Sequence, residues 1–155
     1  MIYLFVLVVG FFVFEFLGYC VHRFIHTKLA SSMYKSHMAH HLDIYPPERF
    51  LTFDYVGAGK NNTVFVFLPF GLVLGALIFW LFSTELAILL IIEMAVVSFF
   101  NSYIHDATHV KYHWLEKFDW FLRLRDIHRV HHVDMKLNYG IFTFILDRLF
   151  KTYKD

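Results

Sequence analysis

Three apolar stretches divide the chain. Residues 2–19 are interrupted only by Glu15, residues 63–82 (TVFVFLPFGLVLGALIFWLF) carry no charge, and residues 86–100 are interrupted only by Glu93. A helix needs about twenty residues to cross a bilayer, so the second stretch is long enough by itself. The others reach that length by extending into GYC and NSYI, and the pattern predicts spans over 2–21, 63–82 and 86–104. The first stretch lacks a basic leader and a small-x-small cleavage site, so it reads as a retained anchor rather than a signal peptide. Two polar segments remain, 22–62 and 105–155. They hold all 14 Lys and Arg, with Arg23, Lys28, Lys35, Arg49 and Lys60 in the first and the rest in the second. With three spans both segments fall on one side, which the positive-inside rule makes the cytoplasmic side. The expected location is a bacterial inner membrane or the endoplasmic reticulum, and the expected fold an all-α integral membrane protein in a single domain, 1–155.

Composition supports lipid as the solvent. The 155 residues are 58% hydrophobic and 21% aromatic, with a mean hydropathy of +0.52, outside the usual range of a soluble domain. A net charge of +1 gives no reason to expect nucleic acid as partner. The single cysteine, Cys20, excludes an internal disulfide, a zinc ribbon and an iron–sulfur cluster. Any metal must be held by nitrogen and oxygen.

The 11 histidines are the unusual feature, and all lie in the two polar segments. Helical residues three and four apart share a face. His22 and His26 in HRFIH therefore point together, as do His37, His40 and His41 in HMAHH, His105 and His109 in HDATH, and His128, His131 and His132 in HRVHH. His113 follows at a further i+4 step as a possible extra ligand. Three rings crowded on one face repel when charged and call for a metal or an acid. Ten imidazoles exceed the capacity of one ion and fit two.

HRFIHT, HMAHH, HDATH and HRVHH, with NYG and LDRLFKT behind them, resemble the fatty acid hydroxylase/sterol desaturase superfamily. The resemblance covers about His22 to Thr152 and implies a helical membrane fold with a cytoplasmic histidine cap. It also implies two iron ions and oxygen-dependent hydroxylation or desaturation of a lipid, with His22, His26, His37, His40, His41, His105, His109, His128, His131 and His132 as ligands. Leu146 and Lys151 stand where the family ending Trp-Asp-Arg-Leu-Phe-Gly-Thr has Trp and Gly. NYG favours the fatty acyl and sterol branch, whereas small size and the His-Asp pair favour a carotenoid ring hydroxylase.

Breaking an unactivated C–H bond needs a redox centre that side chains do not supply. No protein nucleophile is expected. Asn101, Asp106, Asp126, Asp134 and Asn138 are candidates to accept a proton from the distal ring nitrogen of a ligand. Glu15 and Glu93 are costly within a span and so functional candidates as well. Gly71 and Gly75 have the spacing that seats a neighbouring helix. No phosphate-binding glycine loop is present, so electrons are expected from a separate ferredoxin or cytochrome b5 chain with its reductase. Residues 123–129 offer that donor a basic docking surface. Zinc can replace iron in a purified preparation because it binds nitrogen sites more tightly. Other readings are a membrane haem protein, which uses the pairs but leaves the triples idle, a non-catalytic metal-binding protein, and a zinc hydrolase, for which ten histidines are too many.

Overall fold

The computed structural model describes residues 2–55 and 63–155. Residues 56–62, Lys60 among them, and the side chains of 63–68 lie outside the described residues. The elements are α1 (Ile2–Ile25), α2 (Ser32–Ala39), α3 (Thr63–Leu81), α4 (Thr84–Thr108), α5 (Asp119–Val133) and α6 (Ile145–Leu149). Among the described residues there is no strand, only an isolated parallel bridge between Thr52 and Val110.

Two helical segments, Tyr3–Ile25 and Thr84–Thr108, are long and apolar enough to cross a membrane. The helix over the middle stretch, α3, has 19 residues, with Pro69 inside it. α4 packs against both α1 and α3. Phe14, Ile78, Ala87 and Leu90 form the core between them, and Val6, Leu74 and Ile91 close around it. The outward flanks stay apolar and uncovered, with Leu4, Leu72 and Phe99 each more than 60% exposed. Each Å² of such surface costs about 25 cal/mol in water and nothing comparable in lipid. A Cβ added at Gly71 or Gly75 would meet nothing within 4 Å, so among the described residues their spacing seats no helix.

Polar contacts set the register of α1 against α4. Gly10 lets the Glu93 carboxylate and Leu90 lie against α1, where a methyl group would collide with both. One level nearer the histidines, the Asn101 amide donates to Glu15 at 3.0 Å. Glu15 and Asn101 are thus paired with each other, and α1 and α4 run parallel. Both helices deliver their histidine pairs to the same end of the bundle.

The short elements cover that end. α5 turns Phe121, Leu124, Ile127, His128 and His131 inward at helical spacing and keeps its charged residues outside, apart from Arg125. Arg125 is buried, with its guanidinium on Glu116 at 2.8 Å and on the Val110 carbonyl at 2.9 Å. The amide of Thr52 donates to the His109 carbonyl and the Lys111 amide to the Thr52 carbonyl, at 2.9 and 2.8 Å. That clip places Phe50 against the end of α4.

Candidate metal centre

Ten histidines from α1, α2, α4, α5 and the turn after α2 converge under this cover. Nine are buried and His26 is half-buried. They divide into two sets of facing donor atoms. His22, His26, His37, His41 and His131 form one, and His40, His105, His109 and His128 the other; within each, the donor atoms lie within 4.8 Å of one another. His132 sits at the seam. Its ring is 4.1 Å from that of His41 and 4.8 Å from that of His109, and its Nε2 is buried without a partner.

The division cuts across the sequence triples. HMAHH was expected to present three rings on one helical face, yet His37 and His41 serve the first group and His40 the second. Neighbouring residues on a helix point about 100° apart, so His40 and His41 turn to different groups. α2 ends at Ala39 and residues His40–Ile44 continue as a π-helical turn, closed by the Tyr45 amide on the His40 carbonyl at 2.9 Å. Such turns recur at functional sites. HRVHH is divided too, with His131 in the first group, His128 in the second and His132 between.

Distances within the groups have the scale of metal coordination. The Nε2 atom of His37 lies 2.9 Å from that of His26 and 3.1 Å from those of His22 and His41. His26 and His131 meet at 3.1 Å, and His109 and His128 at 3.2 Å. Two imidazole nitrogens at right angles around a metal at about 2.1 Å would be about 3.0 Å apart.

Protons cannot account for this packing. Nδ1 of His22 donates to the Tyr139 carbonyl (2.6 Å), that of His131 to Leu137 (2.6 Å), that of His132 to Tyr45 (2.8 Å) and that of His109 to Phe50 (3.1 Å). A carbonyl only accepts, so these four rings carry the proton on Nδ1 and a bare lone pair on Nε2. With His22 and His131 bare at Nε2, their contacts would need a proton on His37 and another on His26, and those two nitrogens themselves lie 2.9 Å apart, so no assignment of one proton per ring satisfies every contact. A cation among the rings removes that repulsion, so these residues fit a pair of metal ions.

Burial reinforces the neutral state. Desolvation drives His26 down to about 2 and His132 to about 3, and holds His37, His40, His41, His109, His128 and His131 well below the usual imidazole range. Neighbouring rings add to the shift by their mutual repulsion.

Most expected second-layer residues lie elsewhere. Asp106 does accept from His105 Nδ1, at 3.1 Å. Asn101 instead donates to Glu15. Asp126 and Asp134 are exposed, and Asp134 accepts from the Lys136 amide. Asn138 is buried but touches no ring. Its side chain donates to the Ile127 and Lys154 carbonyls, at 3.0 and 2.7 Å, and accepts from the Lys154 amide. Its φ of 53° is a left-handed conformation that asparagine tolerates better than most residues. Backbone carbonyls replace the expected side chains, because a loop packed against a ring offers an acceptor at no cost in burying a charge.

His113 stands apart. It accepts from the Leu115 amide at 3.3 Å and pairs with the Tyr103 hydroxyl at 3.3 Å, outside both groups. Its i+4 step from His109 fails because α4 ends at Thr108.

The residues that sequence reasoning did not single out are Tyr139, Tyr45, Phe50 and Asp147. Tyr45 stacks on His109 at 4.0 Å, and the Tyr139 ring packs against His22, His26 and His131. Asp147, fully buried, holds the Tyr139 loop. It accepts from the Tyr139 amide (2.8 Å), the Gly140 amide (2.7 Å) and the Thr152 hydroxyl (2.7 Å). The LDRLFKT motif was the available signal for Asp147.

No curated protein and no solved structure matches the chain. The fatty acid hydroxylase family model matches residues 7–152. That match includes every histidine just described, and with it the chain belongs to the fatty acid hydroxylase family.

Proposed function

We propose that the chain crosses the bilayer through α1, α3 and α4 with its histidine end on the cytoplasmic side. There it uses two iron ions and molecular oxygen to hydroxylate or desaturate a membrane lipid such as a fatty acyl chain or a sterol. One observation carries the reading, namely two adjoining groups of facing ring nitrogens in a member of this family. The topology is supported by the two long apolar helices and by the confinement of every Lys and Arg to the segments that carry the histidines.

In this reading His22, His26, His37, His41 and His131 hold one ion. His40, His105, His109 and His128 hold the other, with the free Nε2 of His132 completing the set. Bound iron supplies the redox chemistry that activates oxygen for attack on an unactivated C–H bond. The chain does the rest by position. Carbonyls of Tyr139, Leu137, Phe50 and Tyr45 keep the ring protons on Nδ1 and leave Nε2 bare. Burial keeps the rings neutral, and the aromatic walls of Tyr45, Phe50 and Tyr139 exclude water. Hydroxylation consumes two electrons and two protons per oxygen molecule, one oxygen atom entering the product and the other leaving as water. The electrons come from a separate ferredoxin or cytochrome b5 chain.

The test compares the chain with a His40→Ala, His131→Ala double variant, which removes one ring from each group. Both are expressed in a host supplied with iron, a working reductase, fatty acids, sterol and a carotenoid. Mass spectrometry of the lipid extract should find a product gaining one oxygen, or losing two hydrogens, only with the unmodified chain and only in oxygen. No such product, with iron confirmed in the protein, overturns the reading.

A further inference from the structure

The segment behind Tyr139 leaves the histidine end and runs back along α1. Three contacts mark its course. Phe150 stacks on Tyr19 with ring centroids 5.4 Å apart, the Thr143 hydroxyl donates to Glu15 at 2.8 Å, and Phe142 meets Phe11 edge-on at 6.4 Å. Positions 11, 15 and 19 recur every fourth residue, on the face of α1 that also carries His22 and His26. From His22 to Phe11 the helix descends about 16 Å.

That depth lies inside lipid if α1 spans. The apolar segment Tyr3–Ile25 has 23 residues, about 35 Å of helix against about 30 Å of hydrocarbon. Phe11 is well inside both ends, and Phe142 lies beside it. The segment's own chemistry agrees. Ile145 and Leu149 are exposed, Phe142 and Phe150 stay partly exposed beside their contacts with α1, Thr143 turns to Glu15 and Asp147 is fully buried. Exposed charges return only with Arg148 and Lys151, toward the end that contacts Tyr19. Phe12, Val13 and Phe16 of α1 are exposed as well.

We infer that residues 141–150 form a re-entrant wedge that enters the bilayer from the cytoplasmic side and reaches about its midplane, its outer side covered by lipid acyl chains. This rests on the membrane reading of α1 and changes the position expected for part of the polar segment 105–155. Glu15 is then the anchor of the wedge, pairing with Thr143 on one oxygen and with Asn101 of α4 on the other.

Spin-label accessibility tests the wedge in the full chain, reconstituted in phosphatidylcholine nanodiscs. Cys20 is the single cysteine and is exposed, so Cys20→Ser gives a clean background. Labels are placed through Phe142→Cys, Ile145→Cys and Leu149→Cys, with Val13→Cys on α1 and Lys136→Cys as controls. Retained metal content reports folding, and three sites guard against the loss of one variant. Collisions with oxygen should dominate at 142, 145 and 149 as at 13, and collisions with a water-soluble nickel chelate at 136. Nickel access at all three wedge sites with oxygen access at 13 overturns the wedge alone. Nickel access at 13 as well overturns the membrane reading with it. Low access to both reagents at the wedge places protein, such as a second copy of this chain, where lipid is inferred, and overturns the proposal.

Discussion

Replacing Asp147 with asparagine should weaken metal binding in one histidine group and spare the other. The carboxylate is fully buried, with Oδ1 accepting from the Tyr139 amide and the Thr152 hydroxyl and Oδ2 accepting from the Gly140 amide. Asparagine keeps the shape but turns one oxygen into NH2, which in either orientation faces a backbone N–H. The variant loses a charge-assisted hydrogen bond, about 1.5–3 kcal/mol, and leaves a buried donor unsatisfied, about 1–3 kcal/mol more. A cost of about 2.5–6 kcal/mol falls on the two hydrogen-bonded amides that hold this short loop. The loop matters because the Tyr139 carbonyl, 2.6 Å from His22 Nδ1, orients a ring of the five-histidine group. Losing such a support typically costs about 10–100-fold in metal affinity. The other group takes its support from Phe50 and Asp106, to which Asp147 has no hydrogen bond. The assay is a metal titration of the purified protein against a competing chelator, with Asp126→Asn on the exposed face of α5 as control. One of two sites should weaken by that factor. Equal weakening of both sites, or of neither, would refute the assigned role of Tyr139.

Four further outcomes follow from the same geometry. Gly140→Ala should reproduce the Asp147 phenotype, because its methyl group would collide with the Thr143 carbonyl and meet Asp147 Oδ2 at 2.7 Å; thermal unfolding and metal titration should move together. His40→Ala and His41→Ala are adjacent in sequence but should weaken different ions, which site-resolved cobalt spectra would separate; matching spectral losses would contradict the division of the histidines into two groups. His113→Ala should keep both ions, and metal analysis showing loss of either would return it to the ligand set. Stripping metal with a chelator should lower the unfolding temperature, since ions bound at 1,000 times their dissociation constant contribute about 4 kcal/mol each; an unchanged transition would argue against an ion among the facing lone pairs.

Much of the architecture was legible in residue order. Long apolar runs predict long helices because a backbone in lipid must satisfy its own hydrogen bonds, and α1 and α4 follow those runs. The i, i+4 pairs were equally legible. His22 with His26, and His105 with His109, stay in register because each pair sits in or at the end of one continuous α-helix. Spacing also marked the ten histidines as a set, since so many buried imidazoles need a common partner.

Pattern alone did not determine which histidine joins which group. Neighbours such as His40 and His41 point about 100° apart on a regular helix, and only the packed chain shows which group each of them faces. Nor could it find the supports of the rings. These are carbonyls of Tyr139, Leu137, Phe50 and Tyr45, and every residue has a carbonyl, so only the fold determines which ones arrive. Asn138 was misread for the same reason, as its value lies in a left-handed backbone and three backbone partners rather than in a ring. Composition and periodicity thus determined the solvent, the helices and the donor atoms, because those depend on side-chain chemistry and local repeat. The division into two sites, their proton-fixing shell and the return of residues 141–150 along α1 depend on long-range packing, which only the tertiary structure decided.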